Sequence, residues 1–145
     1  MTLAAGAVRT SAPGRWRRMV PPALVAGGVI VASVALHLRD PHEQGSWGLC
    51  PSAALGISCP GCGGLRAVND LTDLRLADAA SSNLLFVLSI PFVLWMFQRW
   101  AVGRWTGRPW NPDSRTVARV SAALIAVMVV FVVLRNLPVG AWLAP

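Results

Sequence analysis

The sequence has no lysine and no tyrosine, and it has few charged residues of either sign. Charged residues make up 13% of the 145 residues, whereas hydrophobic residues make up 54%. That charged share is about half of what soluble globular proteins carry. The length suits a single domain, and the composition argues against an ordinary soluble one.

Recognisable catalytic patterns are also missing. The sequence has no nucleophile–base pair, paired carboxylates, phosphate-binding loop or HExxH-type metal motif, so it gives no support to an enzymatic function. The formal net charge of +7 does not indicate a nucleic-acid partner. The arginines lie at the ends of apolar runs instead of along one helical stripe, and no basic-aromatic binding motif accompanies them.

Three apolar runs without any charge dominate the chain, at residues 19–36, 84–97 and 120–134. A membrane-spanning helix needs about 20 residues, and the flanking residues extend each run toward that length. A chain this short has too little polar sequence to cover three such helices in water. We therefore predict an all-α integral membrane protein with transmembrane helices at residues 19–38, 83–101 and 118–136, and the lipid bilayer as its surroundings.

The distribution of arginine predicts the orientation. Residues 1–18 and 102–117 are rich in arginine and nearly free of acids, whereas the arginines of residues 39–82 are diluted by acidic residues. Cytoplasmic segments of membrane proteins are enriched in basic residues. We expect a cytoplasmic N-terminus in the plasma (inner) membrane, with residues 39–82 and the tail 137–145 outside. The alternative is a signal peptide cleaved after Ala35, which would leave two spans.

The long outer loop contains all three cysteines, Cys50, Cys59 and Cys62. The pair Cys59 and Cys62 has the spacing of a metal knuckle, in which Pro60 fixes φ and Gly63 can take a positive φ. Structural zinc takes four ligands. Either His42 or His37 is a candidate fourth ligand beside the three cysteines.

Other interpretations of the cysteines stay open. The C-x-x-C pair can form a disulfide, because the predicted side of the membrane is oxidising in many cells. The two cysteines can also be small buried thiols that only pack against their neighbours. The pair can also carry thiol–disulfide chemistry. No thioredoxin-like strand–helix context surrounds Cys59 and Cys62, which makes a catalytic oxidoreductase the less favoured of these.

A short amphipathic helix is predicted to begin after Gly64. Leu65, Val68 and Leu71 recur at helical spacing, and Arg66 precedes Asp70 by four residues. Arg66 is either a solvated surface charge or a group that binds a carboxylate or a lipid phosphate.

The ordered set of these residues resembles a bacterial membrane protein family catalogued as domain of unknown function 2752. The family pattern is Cys-Pro, an apolar spacer, Cys-Pro-x-Cys-Gly, Arg-Ala and an Asn before an apolar span. The matching residues are Cys50, Pro51, Cys59, Pro60, Gly61, Cys62, Gly63, Arg66, Ala67 and Asn83. The resemblance covers about residues 47–97, with Leu74-Arg75 and Asn83-Leu84 replacing the family's Gly-Asp and Asn-Pro. It implies a location and a motif, but no activity.

The sequence thus favours an accessory or interaction protein of the membrane, whose cysteine loop is a docking element fixed by a disulfide or by a metal such as zinc. Its expected partner is another membrane protein or a second copy of the chain. The alternative is a membrane thiol-redox or metal-binding protein that uses Cys59 and Cys62.

Overall fold

The computed structural model describes residues 14–39, 41–42 and 55–143, and within these ranges the chain forms helices and turns with no strand. The elements are α1 (Arg15–Leu38), α2 (Gly64–Thr72), α3 (Leu76–Thr106), α4 (Ser114–Arg135) and a 3₁₀ helix (Pro138–Leu143). The predicted all-α class is confirmed.

Helices α1, α3 and α4 are each long and apolar enough to cross a membrane, with 24, 31 and 22 residues. Most of their apolar side chains are exposed on the isolated chain; in α4 only Phe131 and Arg135 are buried. Water disfavours so large an apolar surface, whereas the hydrocarbon interior of a bilayer covers it. The three predicted spans are therefore confirmed as three candidate membrane helices.

The beginning of α1 packs against the end of α3. The Trp16 and Trp105 rings meet edge to face with centroids 5.8 Å apart. Arg104 Nε donates to the Arg18 carbonyl oxygen at 3.1 Å. The Arg15 guanidinium lies over the Trp105 ring, 4.9 Å from its centroid. These contacts bring the arginine-rich ends of the two helices together, and we call this part of the molecule the arginine end.

At the opposite end, α2 connects α1 to the start of α3. Asn69 Nδ2 donates to the Leu36 carbonyl oxygen at 3.1 Å. The buried Asp70 carboxylate accepts from Ser82 Oγ at 3.0 Å and pairs with Arg75 Nη2 at 2.9 Å. Because buried polar groups need partners, these contacts fix α2 against both neighbours. We call this part, which includes the described cysteines, the cysteine end.

Helix α3 is interrupted at Asn83, whose φ of −159° and ψ of 93° are not helical. The Asn83 side chain restarts the helix, since its Oδ1 accepts from the Phe86 N–H at 2.9 Å in the manner of an N-cap. A short segment before Asn83 is thus separated from the apolar span after it.

Helix α4 begins with a cap of the same kind at Asp113, which accepts from the Thr116 backbone N–H at 2.9 Å. Hydrogen bonds from Thr116 lower the pKa of the Asp113 carboxyl below its ordinary value, so the cap stays charged at neutral pH. After α4 the chain folds back as the 3₁₀ helix, where buried Gly140 lies against the end of α4.

Gly140 leaves no room for a side chain, which gives a first prediction. A Cβ at this position would collide with the Leu134 carbonyl oxygen, a backbone atom that cannot swing away. We expect Gly140→Ala to lower the free energy of unfolding in detergent micelles by about 1–3 kcal/mol, the usual cost of overpacking. Gly27→Ala is the matched control, because a Cβ there meets nothing within 4 Å. Equal stability of the two variants would contradict the tight packing.

Candidate functional site: the cysteine turn

The described part of the cysteine motif is a tight turn, residues 58–62, which we call the cysteine turn. The Cys62 N–H donates to the Cys59 carbonyl oxygen at 3.1 Å, and the Gly64 N–H donates to that of Gly61 at 2.9 Å. Gly63 follows with a φ of +77° and serves as the N-cap of α2. Glycine adopts this left-handed conformation without steric cost, in agreement with the positive φ expected at Gly63.

Asn83 holds the turn from the side of α3. Its Nδ2 donates to the Pro60 carbonyl oxygen at 2.9 Å and to that of Cys62 at 3.1 Å. The residue is 1% exposed, and its Oδ1 is used to cap the span. One buried amide therefore starts a helix and fixes the turn at once.

Arg135 holds the same turn from the end of α4. Its Nη1 donates to the Cys59 carbonyl oxygen and its Nη2 to that of Cys62, each at 3.1 Å. The guanidinium also lies over the Phe131 ring, 5.0 Å from its centroid. Arg135 is only 2% exposed, and both Nη groups point at the turn. The carbonyl oxygens of Cys59 and Cys62 are the acceptors of its two Nη groups.

The next residue, Asn136, completes the contacts. Its Oδ1 accepts from the Ser58 N–H at 2.9 Å, and its Nδ2 donates to the Ser58 carbonyl oxygen at 3.0 Å. The Asn136 amide thus satisfies both the N–H and the carbonyl group of Ser58, as a neighbouring β-strand would. Together Asn83, Arg135 and Asn136 make six hydrogen bonds to the backbone of the turn.

The two described cysteines face each other across the turn. Their Sγ atoms are 3.0 Å apart, and both side chains are half-buried. Cys50 and Pro51 lie outside the described residues, so their predicted roles stay predictions.

The described residues do not by themselves make a zinc site. A tetrahedral site needs four ligands, yet among residues 14–39, 41–42 and 55–143 no group of three His, Cys, Asp or Glu side chains is placed to share a metal. The two candidate fourth ligands lie beside acids of α2 and its end. His37 Nδ1 is 3.3 Å from Asp73 Oδ1, and His42 Nε2 is 3.6 Å from Asp70 Oδ1.

The remaining motif residues have separate places. Ala67 is fully buried where α2 packs, which leaves no space for a larger side chain. Arg66 makes no hydrogen bond or ion pair within the described part of the chain, and Asp70 pairs with Arg75 instead. Gly61 is exposed at the tip of the turn, and Gly64 begins α2.

The sequence-based site omits residues that the structure makes central. Arg135 and Asn136 are 73 to 78 positions away from their acceptors, and Asp70 reaches a serine on the next helix. One signal could have found Arg135 and Asn136, because both are polar residues at the end of an apolar run, where an unpaired donor would be costly.

Arg135 supplies the first prediction for this site. Arg135→Lys keeps the charge but cannot donate from two nitrogens in the fork that reaches both carbonyl oxygens. We expect a loss of about 1.5–3 kcal/mol in the free energy of unfolding in detergent micelles, the usual worth of charge-assisted hydrogen bonds. Arg119→Lys on the exposed face of α4 is the control. A change no larger than that of the control would show that the two bonds to the turn do not form.

Asn83 supplies the second prediction. Asn83→Asp retains the oxygen that caps Phe86 but replaces the donor nitrogen by an acceptor that repels the carbonyl oxygens of Pro60 and Cys62. We expect about 1–3 kcal/mol of destabilisation from the unmet acceptors. Asn111→Asp, on an exposed loop, is the control. Should Asn83→Asp be as stable as the natural chain at neutral pH, Asn83 would be a helix cap and nothing more.

Comparison with known proteins agrees with the sequence resemblance. Searches of curated proteins and of solved structures give no significant match to the chain. Residues 50–97, which run from the first cysteine to the middle of α3, match the family model described as protein of unknown function (DUF2752).

Proposed function

We propose that this chain is an accessory protein of the membrane, whose cysteine turn is a rigid docking element for another membrane protein. The observation that carries the proposal is the set of six side-chain hydrogen bonds that hold the turn's backbone. They come from two different membrane helices, which makes the position of the turn depend on the packing of both.

Rigidity is what a docking element needs. A loop already fixed in its bound conformation loses little conformational entropy when a partner binds, so more of the contact energy becomes affinity. Asn83 and Arg135 occupy the carbonyl oxygens of Cys59, Pro60 and Cys62 from inside, and the tip residue Gly61 stays exposed. Ile57 and Leu65 beside the turn are also exposed, at 48% and 44%, and offer apolar contact area.

The distribution of arginine supports the sidedness of this proposal. The arginine end contains described arginines of both basic segments, and such segments are kept in the cytoplasm in membrane proteins. The N-terminus is then cytoplasmic, and the cysteine turn faces the other side of the plasma membrane. On that oxidising side a disulfide that includes Cys50, or a metal bound to the cysteines, would fix the turn further.

Thiol-redox chemistry is the second candidate, favoured by the 3.0 Å separation of the Cys59 and Cys62 sulfur atoms. In the reduced form one thiolate would attack a disulfide of a partner protein and release one partner thiolate. The second cysteine would then break the mixed disulfide, which oxidises this pair and leaves the partner as a dithiol.

A crosslinking experiment in intact cells separates the two candidates. A photoreactive amino acid replaces Ile57, and Leu94 in the middle of α3 is the matched exposed position. For docking, we expect a discrete protein adduct from position 57 and none from position 94. Arg135→Lys, which keeps both cysteines, should reduce the adduct about tenfold, because about 1.4 kcal/mol of lost preorganisation corresponds to that factor.

The double variant Cys59→Ser/Cys62→Ser tests the alternative in the same cells, with the thiol–disulfide ratio of a non-cytoplasmic dithiol reporter as the readout. The docking proposal requires an unchanged ratio. A shifted ratio at normal protein level would replace docking with the redox function. Full crosslinking by Arg135→Lys would show that the adduct does not depend on a rigid turn, which contradicts the docking proposal. Metal content and a thiol count on the purified protein distinguish zinc, disulfide and reduced cysteines.

A further inference from the structure

The arginine end contains a cavity of about 740 Å³ between the last turns of α3 and the loop before α4. Its polar and aromatic lining includes Gln98, Arg99, Arg108 and Asn111, together with Trp95 and Trp110. The loop folds closely onto α3 here, since a Cβ on Gly103 would be 2.9 Å from the Arg108 carbonyl oxygen. The cavity walls are therefore fixed by backbone packing.

The charges of this cavity are of one sign. Arg99 and Arg108 make no hydrogen bond or ion pair within the described part of the chain, and no acidic residue lines the cavity. The acid of the loop, Asp113, is bound to Thr116 as the cap of α4. Two arginines thus line one space, and the described residues supply no counter-charge there.

A second cavity of about 270 Å³ adjoins the first and shares Gly103 and Pro109 with it. Its cationic lining residues are Arg17, Arg18 and Arg104. The Nε atom of Arg18 is buried and has no hydrogen-bond partner among the described residues, although buried donors are normally satisfied. Five arginines therefore line the two adjoining cavities, and the described residues offer no acceptor to the Nε atom of Arg18.

The position of the cavities identifies the anion. They lie at the ends of membrane helices, and Trp95 and Trp110 meet edge to face beside them with centroids 5.7 Å apart. Indole rings favour the headgroup layer of a bilayer. Guanidinium groups bind phosphate oxygens through paired N–H donors, and basic pockets between membrane helices bind lipid headgroups.

We propose that this cavity binds the phosphate group of an anionic phospholipid. The headgroup phosphate contacts Arg99 and Arg108, and the acyl chains lie along the exposed apolar side of α3, where Leu94 is 60% exposed. The site is independent of the cysteine turn, which lies at the other end of the spans.

Native mass spectrometry of the full-length, detergent-solubilised protein tests this site. Phosphatidylglycerol and phosphatidylcholine are added in equal amounts, and retained lipid is counted. We expect retention of phosphatidylglycerol, reduced about thirtyfold in Arg99→Gln/Arg108→Gln, since two basic residues that contribute on the order of 1 kcal/mol each correspond to that factor. Arg115→Gln/Arg119→Gln is the matched control, because it removes the same charge from residues that line neither cavity.

Three outcomes would overturn the site. Equal losses in the two double variants would mean diffuse attraction instead of a binding cavity. Both lipids carry a phosphodiester, so equal retention would mean that the net negative charge of phosphatidylglycerol is not recognised. Displacement of the lipid by millimolar inorganic phosphate would assign the cavity to a soluble anion. Circular dichroism and elution volume verify that each variant is folded, and Arg99→Lys/Arg108→Lys should retain part of the lipid binding.

Discussion

The backbone carbonyl oxygens of the cysteine turn are the acceptors on which the arrangement of the helices depends. A turn cannot satisfy its own carbonyl groups as a helix does, and in apolar surroundings each unsatisfied group costs free energy. Arg135 and Asn83 supply the missing donors from two different helices. The turn's need for hydrogen-bond donors thus fixes the end of α4 beside the start of the span in α3.

This arrangement concentrates polar contacts at the ends of the helices. Between its ends α4 buries almost nothing, and its connection to the rest of the chain runs through the loop at the arginine end and through Arg135, Asn136 and Gly140 at the cysteine end. Within a bilayer, apolar side chains gain little by leaving lipid for each other, whereas hydrogen bonds at the ends retain their value. In the described residues, α4 is accordingly held by hydrogen bonds at its end and not by apolar packing along its length.

The two ends have different chemistry, which suits them to different partners. The cysteine end holds the backbone of its turn by hydrogen bonds from Asn83, Arg135 and Asn136. The arginine end leaves Arg99 and Arg108 unpaired within the described residues, as expected of a surface completed by an anion. The two proposals therefore assign a protein partner to the cysteine end and a phospholipid to the arginine end.

The sequence by itself determined the membrane location, the three spans, the all-helical class and the cysteine motif, because these depend on local composition and spacing. Run length and the absence of charge in each run are sufficient to predict a spanning helix. The tertiary structure decided what Arg135, Asn136 and Asp70 do, since their partners are distant in sequence and are chosen by helix packing. The tertiary structure also decided that Asn83 caps a span and holds the turn. Its amide can do both only because the fold brings the carbonyl oxygens of Pro60 and Cys62 within reach of its Nδ2.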